Sequence, residues 1–300
     1  LAAVTLISDS FLFRSQTPIS SLVFGSNSPF SMASTIRILF LGDVVGEPGR
    51  KAVHHLLPEI KKQYRIDFTV VNGENSAAGR GITPRIAIDL LRAGATVITT
   101  GDHVWDQAEI VHYFPTEPRL LRPGNYPVGT PGAGSVVLDT EWGKVAVMQA
   151  QGRSFMQPPL ENPFLWAEEE ADRLRAAGVQ VIFMDFHAET TSEKIAMGRM
   201  LDGKVSAVVG THTHVQTADD CILPNGTAYL TDAGMCGPDD SVLGRVTQSV
   251  IWRFKSGLPT RFPIAKGPVR LCGAIAEIDT LTGKCMEFSR YNHLLPPGEL

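Results

Sequence analysis

At 300 residues, 43% hydrophobic and 19% charged, the chain has the make-up of a soluble globular protein able to bury one sizeable core. A net charge of −4 leaves no basic face for gripping long nucleic acid through its phosphates, and no apolar run reaches the roughly 18 to 20 residues of a membrane span. Neither a stable complex with long nucleic acid nor a membrane is expected as a partner. Cys221, Cys236, Cys272 and Cys285 are scattered without Cys-x-x-Cys pairs, which predicts buried inert thiols and a cytoplasmic location.

The first 34 residues are Ser-rich, have a single Arg (Arg14), and show no periodic apolar face. They are expected to be disordered or non-native, with Met32 as the start; a transit peptide would be richer in Arg. Residues 35–300 are expected to form a single domain. Within it, Ile36 to Leu41 reads as a buried strand, and Val53, Leu56, Leu57 and Ile60 give helical spacing to Pro48–Tyr64. Phe68 to Val71 is the next strand. A helix from Thr83, its N-cap, through Pro84 to Ala93 closes at Gly94, and Ala95 to Thr99 is a third strand. Ser135–Leu138 and Lys144–Met148 read as a hairpin across Trp142-Gly143. A helix over 163–177 and strands over 179–184 and 205–209 follow. Late strands are expected over 228–231, 269–278 and 285–290, with a helix over 246–254. Alternating strands and helices imply parallel pairing with right-handed crossovers, and the whole reads as a mixed α/β sandwich without internal repeats.

The chemistry-bearing residues stand just past the strands, as Gly42-Asp43, Asn72-Gly73-Glu74-Asn75, Gly101-Asp102-His103, Asp185-Phe186-His187 and Gly210-Thr211-His212-Thr213-His214. Ligands of open α/β sheets bind at these ends, where loops converge. Glycine precedes the polar residue at four of the five, which is expected to let the backbone turn sharply there. In extended chain His212 and His214 would point the same way, about 6.5 Å apart. Neutral imidazoles with carboxylates suit iron, manganese or zinc. Asp43, Glu74, Asn75, Asp102, His187, His212 and His214 offer a shell for two such ions, Glu74 able to bridge. Two ions could clamp a phosphate in line with an activated water. His103, directed away from Asp102 along an extended segment, is placed to protonate the leaving alkoxide. Taken singly, each of these residues has a plainer reading: Asp43 or Asp102 as a turn former or cap, His187 as a core histidine, the His212–His214 pair as a solvated turn. Five coincident strand ends favour the metal site.

In order and spacing, Gly42-Asp43-Val44-Val45-Gly46, Asn72-Gly73-Glu74-Asn75, Gly101-Asp102-His103-x-Trp105-Asp106, Asp185-Phe186-His187-Ala188-Glu189 and Gly210 to Asp219 resemble the YmdB-like branch of the calcineurin-like metallophosphoesterase superfamily, over essentially Ile36 to Arg290. The resemblance implies two mixed sheets packed as a sandwich flanked by helices, in four αββα layers. It also implies a dinuclear centre of iron (Fe2+/Fe3+), with Mn2+ or Zn2+ as substitutes, and phosphodiesterase action on small substrates such as 2′,3′-cyclic nucleotides. By that analogy Asp43, Glu74, Asn75 and His214 surround one metal, and Glu74, Asp102, His187 and His212 the other, with His103 as proton donor. One position departs: the family pattern has Asn where this chain has Asp102. The added carboxylate is expected to neutralise the centre, holding metal more firmly while attracting an anionic ester less.

Lesser candidates follow. Gly42 to Lys51 lacks the Gly-Lys-Ser/Thr ending of a P-loop. Arg50, Arg80, Arg122 and Arg153 are expected to be exposed or structural, although each could reach a phosphate. His54, His55, His112 and His293 read as surface residues, and Trp105 and Asp106 as packing and capping the helix after the catalytic loop. Two functions stand, a phosphodiesterase or a metal-binding regulatory scaffold weakened in catalysis by Asp102. A homo-oligomer is compatible with either.

Overall fold

The computed structural model describes residues 35–299; the expectations for the first 34 residues lie outside them. In chain order, β1 (Thr35–Leu41) and β2 (Asp43–Val44) lead into α1 (Gly46–Tyr64), followed by β3 (Phe68–Asn72), α2 (Pro84–Ala93), β4 (Val97–Thr99) and the short α3 (Ile110–Tyr113). The hairpin β5 (Ser135–Thr140) and β6 (Gly143–Gln151) then precedes α4 (Pro163–Ala176), β7 (Val181–His187), α5 (Thr191–Met200) and β8 (Ala207–Thr211). β9 (Cys221–Ile222), β10 (Ala228–Leu230), β11 (Met235–Pro238), α6 (Thr247–Ser256), β12 (Val269–Asp279) and β13 (Cys285–Leu295) complete the chain.

Two mixed sheets result. One has seven strands in the order β2-β11-β12-β1-β3-β4, with β13 on the free side of β12; the other has six, β5-β6-β7-β8-β10-β9. β1, β3 and β4 run parallel, as do β6, β7, β8 and β10. Strand alternation sorts the side chains into layers. In β1, Ile36, Ile38 and Phe40 face the second sheet, while Leu39 and Leu41 meet Val53, Leu57 and Leu90 of α1 and α2. In β7, Val181 and Phe183 face inward, while Ile182, Met184 and Phe186 pack against Ala167 and Leu174 of α4 and Met197 of α5. Phe40 and Phe183 meet between the sheets, ring centroids 5.2 Å apart. The order is therefore helix, sheet, sheet, helix.

Local signals held where one segment supplies everything needed. Thr83 caps α2 by accepting from Ile86 N at 3.2 Å, Pro84 opens the helix, and Gly94 closes it at φ 118°. The elements absent from the reading, β2, β9, β11, α3 and α5, are short or polar. α5 carries the sequence Thr-Ser-Glu-Lys-Ile-Ala-Met-Gly-Arg-Met, whose apolar stripe is too thin to show a 3.6-residue period. Among the described residues all four cysteines are unpaired, and three are buried while Cys221 is exposed. No helix among them is long and apolar enough to cross a membrane.

Candidate metal centre

Asp185 and His187 occupy alternate positions of β7 and therefore share the face that looks toward the other sheet, at the carboxyl end where the inter-sheet core stops. The parallel strands of both sheets end at this place. Four side chains meet there, and Glu74, Asp102, His187 and His212 each bring one donor atom within 4.8 Å of the others. His187 Nε2 stands 2.9 Å from Glu74 Oε2, 3.0 Å from Asp102 Oδ1 and 3.1 Å from His212 Nδ1. Asp43, Asn75 and His214 lie outside that group but against it. Asp43 Oδ2 accepts from His212 N at 3.1 Å, and Asn75 Nδ2 is 3.3 Å from His214 Nε2.

The backbone at the site departs from the extended chain expected. β8 stops at Thr211, and His212 (φ 102°) and His214 (φ 66°) both take left-handed conformations, so the extended chain that would set the two rings side by side is lost. Such conformations cost about 1–3 kcal/mol each and persist only when their surroundings impose them. The imposing group is Asp232. Its Oδ2 accepts from Thr213 N (3.0 Å) and Thr213 Oγ1 (2.8 Å) and pairs with the fully buried Lys194 Nζ at 2.6 Å, while Oδ1 accepts from Gly234 N at 2.9 Å. Neither Asp232 nor Lys194 is among the residues that the sequence singled out. Asp232 does follow a predicted strand, just as the recognised donors do, and that is its one signal in the sequence.

Turns likewise replace the extended segment expected at His103: Val104 N donates to Gly101 O and Asp106 N to His103 O. His103 Nδ1 faces Asp106 Oδ2 at 3.2 Å and its Nε2 lies 3.8 Å from Asp102 Oδ2. Burial, with help from Arg80, holds the ring below its ordinary pKa against the pull of Asp102 and Asp106. Asp106 is no helix cap, since α3 begins after Glu109; it pairs with Arg80 at 2.7 Å. Trp105 packs on Phe114 and Tyr126 as expected. The glycines serve differently from the expectation too. Gly42, Gly73, Gly101 and Gly210 do not have positive φ; they are needed because a Cβ would strike a neighbour. At Gly101 it would overlap Glu74 Oε2 and His187 Nε2, filling the space between the donors.

Outer partners assign each imidazole a tautomer. His187 Nδ1 donates to Thr211 Oγ1 (2.9 Å), whose hydroxyl donates to Asp185 Oδ1 (2.7 Å). Asp185 also accepts from Thr99 Oγ1 (2.5 Å) and Asn72 Nδ2 (2.9 Å), and burial pushes its carboxyl up to about 6 despite these bonds. His212 Nε2 faces Glu189 Oε2 at 3.1 Å, and His214 Nδ1 faces Leu243 O at 3.3 Å, the latter presented by a left-handed turn at Leu243 and Gly244. In all three rings the nitrogen directed away from the centre has an acceptor, which leaves the inner one as a lone pair. This is how imidazoles are oriented for a cation.

The residues fit a metal on electrostatic grounds as well. Asp43 Oδ1 and Glu74 Oε2 are buried with no hydrogen-bond donor, and lone pairs of Glu74, Asp102, His187 and His212 crowd one point. Burial pushes Glu74 well above the usual carboxylate range, relieved in part by His187. His187, disfavoured as a cation by burial, is nonetheless raised well above its ordinary value by Glu74, Asp102 and Asp43. Asp102, against its own burial, is held far below the usual range by His187 and His212. The cluster demands positive charge, and a divalent ion supplies more of it than a proton does.

The other candidates sort simply. Arg122 is buried and spends its guanidinium on the carbonyls of Pro123, Thr130 and Pro131. Arg50 is bonded to Ser76 O. Arg153, His54, His55, His112 and His293 are exposed.

Residues 39–291 match the family described as YmdB-like protein. The chain belongs to the YmdB-like family. A relative from Bacillus subtilis (strain 168), named 2′,3′-cyclic-nucleotide 2′-phosphodiesterase, is 49% identical over 255 residues, 85% of this chain and 96% of its own length. A solved structure from Mycoplasma pneumoniae, titled as a novel phosphatase, is 34% identical with a TM-score of 0.83, covering 88% of this chain and 95% of the other. That of a hypothetical protein from Thermus thermophilus is 38% identical with a TM-score of 0.81, covering 87% and 100%. YmdB-like membership thus spans both sheets and every strand end that carries a donor.

Proposed function

We propose that the chain is a metal-dependent phosphodiesterase for small phosphodiesters, 2′,3′-cyclic nucleotides foremost, working at a dinuclear centre. The observation that carries this reading is the outward hydrogen bonding of His187 and His212, which turns two lone pairs onto a point shared with Glu74 and Asp102, with His214 oriented in the same way beside it against Asn75. The Bacillus relative's name supports the substrate class. Glu74, Asp102, His187 and His212 would hold one ion. Asp43, Asn75 and His214, with Glu74 bridging, would hold the second, and the mixed nitrogen and oxygen shell suits iron, manganese or zinc. When bound, such ions supply a water of lowered pKa and draw charge off the phosphoryl oxygens.

The protein's own part is positional. Glu74 is set by Asn72, whose Oδ1 accepts from Glu74 N at 3.0 Å. The Gly101-Asp102 turn is pinned to the second sheet through Gln149, which accepts from Thr100 N at 3.0 Å and donates back to Thr100 O. His103 borders the open cavity beside Glu74 and His212, where in its doubly protonated, imidazolium form it can give the Nε2 proton to the departing alkoxide while Asp106 accepts from Nδ1.

The test is elemental analysis of the purified protein, then assays on 2′,3′-cAMP and bis-p-nitrophenyl phosphate. Two ions per chain with turnover of either ester is the expected result. Two ions with no turnover would instead favour a metal-binding regulatory protein, the reading to which the Asp102 carboxylate points. Asp102→Asn then decides how much that carboxylate restrains catalysis: turnover per bound metal should rise, and an unchanged rate and pH profile would remove the idea.

A further inference from the structure

The cavity of about 410 Å³ at the candidate centre has two unlike walls. One is polar, formed by Glu74, Asn75, His103, His212 and His214. The other is mainly apolar, with Val242, Leu243, Val250, Phe254 and Phe262 beside the cationic Arg245, and the phosphodiester chemistry uses none of these. Phe254 is 84% exposed and Phe262 40% exposed, whereas Val250, one helical turn before Phe254 on α6, is buried. Residues four apart share a helix face, so Phe254 follows Val250 toward the cavity. Phe262 arrives from a different segment, which Arg245 secures by donating to Phe262 O (3.1 Å) and Gly79 O (2.5 Å) while Val246 N donates to Pro263 O. Gly79 makes room for this, because a Cβ there would overlap the guanidinium nitrogens. The two walls are joined directly, since Leu243 O is the acceptor of His214 Nδ1.

We propose that Phe254 and Phe262, backed by Leu243 and Val250, form the subsite for the nucleobase of the substrate. This deepens the phosphodiesterase reading and rests on it. Exposed aromatic rings beside a phosphate-binding centre are what a base requires: a π-face and an apolar wall that lose water only on binding, with little demand on base identity. The cavity volume falls within the range that encloses small ligands. With the phosphate held by the polar wall, the ribose spans the gap and the base lies against the rings. Purine substrates should outperform pyrimidine ones modestly, because a larger ring covers more of the apolar wall.

The experiment compares kcat/KM on 2′,3′-cAMP with kcat/KM on glycerol 1,2-cyclic phosphate, which has the same strained diester and no base. Phe254→Ala should lower the ratio of the two by about tenfold to a hundredfold, the loss of one base–aromatic stack, chiefly through KM for the nucleotide. Phe254→Trp should restore it. Trp252→Ala, on the same helix but not lining the cavity, should leave the ratio where it was. An unchanged ratio in Phe254→Ala and Phe262→Ala overturns the subsite while leaving the phosphodiesterase reading intact. So does an equal loss on both esters accompanied by a changed sedimentation coefficient, which would assign the rings to contact between copies of the chain. Wild-type protein that holds metal yet hydrolyses neither ester removes the underlying reading, and the subsite with it.

Discussion

The candidate centre has a buried half and a rim half, and the two are held by different means. Glu74 and His187 are 1% and 0% exposed and are held from within the sheets. His187 is the last residue of β7, fixed by its register with β6 and β8, and Glu74, on the turn two residues past β3, has its amide held by Asn72 at the end of that strand. Asp102 and His212, with side chains 16% and 23% exposed, sit on turns, and without a ladder each depends on polar supports contributed from far along the chain. Gln149 secures one turn, and Asp232 with Lys194 the other. The contrast shows that a sheet positions a donor through its hydrogen-bond ladder, whereas a loop must be positioned through buried polar groups that are costly if left unpaired.

Removing a buried donor is the harshest way to break this arrangement. Glu74→Gln keeps the shape but removes the charge, and metal occupancy with turnover should fall by more than about 100-fold, beyond the range typical of outer partners; elemental analysis beside a rate assay would show it. Lys194→Met strikes the rim from below. It leaves Asp232 buried without its cation, at a cost of about 3–5 kcal/mol in a denaturant titration, and the Lys194→Met/Asp232→Asn double variant should recover part of that. Asp185→Asn weakens the Thr211 relay behind His187, and metal affinity measured by chelator competition should drop about 10–100-fold. Glu189→Gln does the same behind His212, where Glu189 is half exposed, and water can replace it, so a loss of about tenfold or less is expected. Equal losses in the last two variants would erase the distinction between buried and rim halves.

The smallest effect concerns pH. Asp219, at the far end of the His loop, is held below the usual carboxylate range: burial opposes this, but the hydroxyls of Thr217 and Thr231 and the amide of Thr231 outweigh it. A depressed folded pKa stabilises above the unfolded value, near pH 4, and that stability is lost as pH falls through the folded one. Asp219→Asn should therefore flatten the acid limb of the thermal-melting profile and leave its neutral plateau nearly in place.

Much of this was legible in advance because it is local. The apolar runs of β1, β3 and β7, the Thr83-Pro84 opening and Gly94 closing of α2, and the Gly-Asp and Gly-Thr-His stretches after strands all carry their signals within a few residues. The family resemblance rested on the same short motifs. Asp232 and Lys194 escaped notice because an Asp after a strand and a Lys in a thin helix are ordinary until the fold places them 2.6 Å apart. The left-handed backbones of His212 and His214 escaped because nothing in Thr-His-Thr-His asks for them; Asp232 imposes them from 19 residues beyond Thr213.

The amino-acid sequence by itself determined the succession of strands and helices, their amphipathic faces, and which side chains would stand at the strand ends, since periodicity and capping act within one or two turns of chain. Tertiary structure alone decided which nitrogen of each histidine faces inward, where two carboxylate oxygens remain without donors, and that Phe254 and Phe262 share a cavity with His214. Those outcomes depend on distance and burial between segments as far apart as Asp43 and His212, and only the packing of one sheet on the other brings such segments into contact.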